Sequence, residues 1–223
     1  MTTKEIKASV QNEKIRRTLK ALEQNNMTGF YAETAEKAAE IAMGLVSQGE
    51  TISCGGSVSL AESGIFAKMQ SGDYNFLDRS VAGLTAEEIG DIYRKAFFAD
   101  AFFTSANAVT ENGELYNVDG NANRVAAIAF GPKKVIVVVG ANKIVRDLDE
   151  AQRRVKCLAA PCNALRLHPD TPCEKLGKCL AADGKMTEGC RSPGRMCCQY
   201  LITAFQRQKG RINVIICPDE LGY

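Results

Sequence analysis

The sequence predicts a three-layer α/β fold with a mainly parallel sheet and a cysteine-rich loop toward its C-terminal end. Three observations lead there. Apolar runs of strand length alternate with amphipathic stretches of helical period, the order that builds a parallel sheet covered by helices. One run, Lys134-Val-Ile-Val-Val-Val-Gly140, shows no polar alternation, as a central strand buried on both faces requires. Finally, Cys173, Cys179, Cys190 and Cys197 share one segment with the turn formers Pro172, Gly177, Gly184, Gly189, Pro193 and Gly194, where neither period holds.

Taken in order, Ile6, Val10, Ile15, Leu19 and Leu22 give residues 3–24 a helical stripe, and Ala38, Ile41, Ala42 and Leu45 do the same for 34–48. Residues 1–49 therefore read as N-terminal helices. Glu50-Thr-Ile-Ser-Cys54 is a short buried strand entering Gly55-Gly56-Ser57, with a helix expected from Ser59 to Met69. Asn75-Phe-Leu77 is another strand. Thr85, with Glu87 and Glu88 behind it, opens a helix whose first turn suits the dipole. Ala101 to Ser105 is strand-like, and Asn112-Gly113 marks a hairpin over Ala108 to Val118. Helices are expected at 123–130 and 147–160, a short one from Pro161, and another from about Cys197 to Gln208. Arg211 to Cys217 is the last buried strand. The whole of 1–223 reads as one domain, with 171–198 an appended loop that ligation must order.

With 28 basic against 26 acidic residues, nothing in the charge balance calls for nucleic acid or an anionic membrane. The charged start is followed by no apolar stretch, and no apolar run approaches the roughly 20 residues of a membrane helix. A soluble cytoplasmic protein is expected. In that reducing setting, dense cysteines read first as metal ligands or redox groups, with disulfides the alternative. The odd total of nine leaves at least one thiol unpaired in any intramolecular disulfide scheme.

Four constellations bear chemistry. Gly55-Gly56-Ser57 joins a strand to a helix, where backbone N–H groups can meet a phosphate or carboxylate; a plain tight turn is the alternative. The polar run from Thr104 to Arg124 offers Asn107, Glu111, Asn117, Asp119, Asn123 and Arg124 as a wall around a polar substrate, although such residues also populate turns. Lys143 follows the most buried strand, on the side where open α/β sheets bind ligands. Cys173, Cys179, Cys190 and Cys197 supply four thiolates for one metal centre, a 4Fe–4S cluster ahead of zinc, although their C-x5-C and C-x6-C spacings match neither ferredoxins nor zinc ribbons. Cys198 is expected to pack into the following helix, and Cys54, Cys157, Cys162 and Cys217 to be buried as small hydrophobes. His168, the only histidine, suits solvent or capping use and leaves no basis for a histidine relay.

The run Thr104-Ser-Ala-Asn-Ala-Val-Thr-Glu-Asn-Gly-Glu-Leu-Tyr-Asn-Val-Asp-Gly-Asn-Ala-Asn-Arg resembles the signature of the lactate-utilisation (LUD) domain family. Gly131 to Val145, Ala159-Ala-Pro-Cys-Asn-Ala-Leu-Arg-Leu167 and the Gly55–Ser57 turn followed by Glu62 continue the resemblance. It implies the fold shared by class I CoA transferases, ribose-phosphate isomerases and glucosamine-phosphate deaminases. It further implies a component of an iron–sulfur system oxidising L-lactate or a related 2-hydroxy acid, with a small anionic substrate and iron–sulfur partner subunits; a homo-oligomer is left open. Thr171-Pro-Cys173 with its later cysteines is similar to an element of some members, but residues 180–189 look inserted. Two other functions stay open. Glu111-Asn-Gly113 resembles the glutamate turn of the transferases, where Glu111 would be nucleophile or base and Gly55–Ser57, Arg124 and Lys143 anion partners. A non-catalytic module with structural zinc is the other.

Overall fold

The computed structural model describes all 223 residues. Thr2 and Glu5 form a capping box that starts α1 (Thr3–Gln24). There follow β1 (Thr28–Tyr31), α2 (Ala35–Gly44) capped by Thr34, β2 (Thr51–Cys54), α3 (Val58–Glu62), α4 (Ile65–Met69) and β3 (Asn75–Leu77). A second capping box, Thr85 with Glu88, opens α5 (Ala86–Lys95). Next come β4 (Ala101–Thr104), β5 (Ala108–Thr110), β6 (Leu115–Asp119), α6 (Asn123–Ala129), β7 (Lys134–Gly140) and β8 (Ile144–Val145). The chain ends with α7 (Leu148–Arg154), α8 (Ala160–Leu167), α9 (Pro172–Leu176), β9 (Gln199–Thr203) and β10 (Ile212–Cys217).

Six strands form a wholly parallel sheet in the order β1-β10-β7-β4-β2-β3. The three layers follow from β7 itself. Val135, Val137 and Val139 enter a core with Ile15 and Leu22 of α1, while Ile136 and Val138 enter another with the alanines of α2 and with Leu60, Ile65 and Met69. A strand buried on both faces leaves little room for polar residues, which is why its sequence lacks alternation. A second sheet, in the order β8-β5-β6-β9, stands beyond the carboxyl ends of the first. Tyr116, Val118, Val145, Ala151 and Val155 make a small third core beneath it.

Four expectations need correction. Residues 1–49 are not only helical: β1 lies between α1 and α2, drawn into the sheet edge by pairing with β10. The helix expected over 59–69 is broken at Ser63-Gly64 into α3 and α4. α7 does not stop before Pro161 but runs through a π turn, Val155–Ala159, into α8; the wide turn just before it spares Pro161 the N–H bond it cannot make. The segment expected as a helix over 197–208 is the strand β9, antiparallel to β6, with Tyr200 against the third core and Leu201 against the first. That alternation is strand-like, and Tyr, Ile and Thr favour it.

The β5–β6 hairpin tip rests on α1. Gly113 has φ +81°, and a Cβ there would lie 2.5 Å from the Ala21 carbonyl carbon. Gly113→Ala should therefore lower stability by at least about 1–2 kcal/mol, the cost of left-handed backbone alone, seen as a lower midpoint of urea unfolding.

Candidate functional site

A cavity of about 800 Å³ opens at the carboxyl ends of β2, β4 and β7. Its wall includes Gly55, Gly56 and Ser57 after β2, Asn107 after β4, Asp119, Asn123 and Arg124, and Lys143 after β7. The three segments singled out in the sequence thus meet in one place. Glu62 and Asn117 stand off the wall: Glu62 Oε2 accepts from the Gly222 N–H at 2.6 Å, and Asn117 is buried behind Arg124. Ser57 is occupied as the cap of a five-residue helix, its Oγ accepting from Leu60 N at 3.3 Å. So short a helix gives the turn no developed dipole, and the anion-site argument from a helix terminus does not hold there.

Much of the polar wall is bonded to itself. Arg124 Nε donates to Asp119 Oδ1 at 2.8 Å; Nη1 donates to Ser105 O and Asn117 Oδ1, each at 2.9 Å; Nη2 donates to Asn107 Oδ1 at 2.8 Å and Val118 O at 3.0 Å. That uses all five N–H groups of a guanidinium. Asp119 Oδ2 accepts from Val125 N at 2.8 Å, tying α6 to the same knot. Arg124 therefore has no donor left for a ligand. A Cβ on Gly55 would stand 3.0 Å from Arg124 Cδ, and because the arginine is locked it cannot move aside; this, rather than ligand approach, accounts for the glycine.

Lys143 is different. It is buried, its Nζ donates to Ser59 Oγ at 2.8 Å and Ser105 Oγ at 3.1 Å, and no carboxylate stands within ion-pair range. Burial, then repulsion from Arg154 and Arg124, offset in part by Glu62, brings its pKa from 10.5 down to about 7. Arg79, Arg166 and Arg195 also line the cavity, against Asp119 as the single carboxylate, so its potential favours an anion. Arg79 is held by Tyr93, its Nη1 donating to the hydroxyl at 2.7 Å, and Arg166 by Tyr223 and Asn163. These side chains, with Ser59 and Ser105, were missed by sequence reasoning. Arg79 and Arg166 sit where no motif marks them, while Ser59, Ser105 and Arg195 lie in the marked segments but were passed over beside their glycines, carboxamides and cysteines.

Glu111 lies away from the cavity. It occupies the hairpin tip, where its carboxylate meets Arg17 at 3.1 Å and Lys14 at 3.9 Å on α1. The expectation that it faces the pocket is corrected: a hairpin reverses the chain, so its tip and its base point apart. His168 ends α8 in left-handed conformation and pairs through Nδ1 with Glu174 at 2.9 Å, in keeping with a capping role.

Cys173, Cys179, Cys190 and Cys197 line a second, smaller cavity of about 30 Å³, together with Tyr116, Arg195 and Tyr200. All nine cysteines are free thiols. Burial first, then Cys179 and Cys173, pushes the Cys197 thiol up to about 12, so the sulfurs sense one another. No three of the chain's histidine, cysteine, aspartate or glutamate side chains are grouped closely enough to ligate a metal as they stand, so ligation needs the loop to draw in. The donor set nevertheless fits a thiophilic centre: four thiols and the buried, unbonded Tyr116 hydroxyl surround one void. Cys198 is exposed and bonded to Arg195 O, with no helix to pack into, while Cys157 is exposed and Cys162 half-buried rather than core residues. Val155, Ala160, Arg195, Met196 and Cys197 line both cavities, which share this wall.

A parallel α/β sheet with its cavity at the carboxyl edge, and a hairpin knotted by one arginine, defines the class. The LUD domain model matches residues 15–217, and the chain belongs to the LUD-domain family, which is associated with lactate utilisation. Among solved structures, a DUF162 family protein from Deinococcus radiodurans is similar, with TM-score 0.50 and 15% identity over 93% of this chain and 97% of that one. At that identity the likeness shows the fold alone. No protein with a curated description matches the sequence. No helix is long and apolar enough to cross a membrane.

Arg124→Lys replaces five directed donors by three and leaves Asp119, Asn107 and Asn117 short of partners. Because the charge beside Asp119 is kept, the expected loss is that of unsatisfied buried acceptors, about 1–3 kcal/mol in chemical denaturation. Lys143 gives a pH signature. Its folded pKa lies below its unfolded one, so the unfolded chain binds more protons between about pH 7 and 10.5. Its contribution to stability therefore rises with pH across that window and is lost as pH falls toward 7. Lys143→Met should flatten that rise in unfolding measured from pH 6 to 10.

Proposed function

We propose that this chain binds the carboxylate of L-lactate or a related 2-hydroxy acid, as one component of a system that oxidises it, and that a 4Fe–4S centre on Cys173, Cys179, Cys190 and Cys197 serves the electron transfer. The observation that carries the reading is the shared wall: Cys197 borders both the cationic cavity and the thiol cavity. Lys143 is the anchor for the carboxylate, since it is the cavity cation that is buried without a carboxylate partner, and the Ser59 and Ser105 hydroxyls orient it. Arg124 adds charge without contact. A bound cluster supplies one-electron transfer, and iron–sulfur partner subunits would carry the electrons onward. At about 800 Å³ the cavity exceeds what a lone three-carbon acid fills, leaving room for a longer acid or a partner's group.

A second reading, structural zinc, is favoured by the size of the thiol cavity. A cavity of about 30 Å³ lined by four thiols suits one compact ion more readily than a four-iron cluster. The transferase-like reading loses its nucleophile with Glu111 at the hairpin tip.

Anaerobic purification with iron, sulfide and zinc analysis separates the two readings: iron with sulfide supports the first, zinc alone the second. Calorimetric titration with L-lactate and pyruvate tests the anchor. Binding an anion requires the Lys143 ammonium, so affinity should be about tenfold weaker at pH 8 than at pH 6. Lys143→Met should lose binding and its pH dependence together. Pyruvate and lactate that bind this variant as they bind the wild type would exclude Lys143 as anchor.

A further inference from the structure

Tyr116 is 0% exposed, and its hydroxyl is one of two buried side-chain polar atoms with no hydrogen-bond partner. Such a group is costly, since its donor was bonded to water in the unfolded chain. Its ring packs in the third core, and the residue also borders the cavity formed by Cys173, Cys179, Cys190 and Cys197. The neighbouring donors are committed elsewhere. Arg195 gives its N–H groups to the carbonyls of Cys197, Cys190 and Thr187, and Lys156 gives its ammonium to those of Gly184 and Lys185. One hydroxyl already approaches a sulfur here, Thr171 Oγ1 to Cys173 Sγ at 3.3 Å. Tyr116 therefore stands as the uncommitted buried donor on the wall of the four-thiol cavity, with Cys197 its nearest thiol neighbour.

We propose that the Tyr116 hydroxyl donates a hydrogen bond to anionic sulfur, thiolate or cluster sulfide, when the four-cysteine site is occupied. This rests on the metal-binding part of the reading above and adds a residue that sets the properties of the centre. Burial, with Tyr200 and Cys197 nearby, holds the phenol pKa above its ordinary value, so the group keeps the proton it donates. A donor to sulfur stabilises the more negative, reduced state of a cluster and raises its potential. For zinc it offsets thiolate charge and tightens binding.

The test compares wild type with Tyr116→Phe, which keeps the ring and removes the oxygen. Metal-free proteins are melted; both are then loaded anaerobically with Zn²⁺ alone, and separately with Fe²⁺ and sulfide. Zinc affinity is read by chelator competition, and a cluster by its absorbance and midpoint potential. The expected result is a metal-free Tm equal to or above that of wild type, because an unpartnered hydroxyl is gone. Zinc affinity should fall 10–100-fold, or the midpoint of a loaded cluster should become more negative. A lower metal-free Tm would show that the hydroxyl has a protein partner, and overturn the proposal. Unchanged zinc affinity and unchanged potential in a variant that loads like wild type would overturn this proposal and leave the four-cysteine site standing. A wild type that takes up neither metal overturns both.

Discussion

The five hydrogen bonds of Arg124 are the constraint on which the rest of the site depends. One guanidinium joins the end of β4, both strands of the β5–β6 hairpin and the start of α6. Through β6 the second sheet is hung on the first, and through β6 again β9 and the cysteine segment are hung on the second. A buried cation on this scale is tolerable only because Asp119 neutralises it and each donor is satisfied, so the knot is more a specifier of geometry than a reserve of stability. What it specifies is the distance between sheet edge and hairpin, which is the width of the main cavity.

Lys143 shows the opposite use of a buried cation. Arg124 is fully bonded and matched; Lys143 is held by two neutral hydroxyls and repelled by two arginines. One charge is complete without a ligand and the other is not. The sequence offered both as anion partners because both are basic residues near strand ends. Only the distribution of acceptors in space separates them.

Much of the sheet was legible. Strands at 51–54, 75–77, 101–104, 134–140 and 212–217 announce themselves through apolar runs, and α1, α2 and α5 through period and caps. The misses share a cause. β1 is short and contains Gly29, and it is a strand because β10 lies beside it. Tyr200-Leu-Ile-Thr is apolar enough for either element, and pairing with β6, distant in sequence, decides. Glu111 was placed by its nearness in sequence to Asn107, yet four residues of extended chain carry it about 13 Å along the hairpin to α1. The polar run was read as a binding wall because sequence cannot distinguish groups bonded to one another from groups awaiting a ligand. The four cysteines expected as one ligand set border one void but are not grouped closely enough to ligate a metal as they stand, and the hydroxyl beside them came from a strand with no local sign of it.

The cysteine segment is held by side chains rather than by a backbone ladder. Gln152 and Lys156 grip Gly184 and Lys185, Ser192 grips Asp170, and Arg195 grips Thr187, Cys190 and Cys197, while a regular hydrogen-bond ladder is absent from 177 to 198. Lengthening a loop is cheap, about 0.6 kcal/mol per doubling of its closed length, provided its anchor points stay fixed. Here the anchors are Gln152 and Lys156 of the body and Ser192 and Arg195 of the segment itself, set on carbonyls close to the thiols. The residues between the gripped carbonyls can therefore change in number with little effect on the spatial arrangement of the sulfurs, whereas Gly184, Lys185 and Thr187 are the points that must stay in place. Spacing between the cysteines along the chain is accordingly a poor guide to whether two such proteins share a site, and the side chains that grip the loop are a better one.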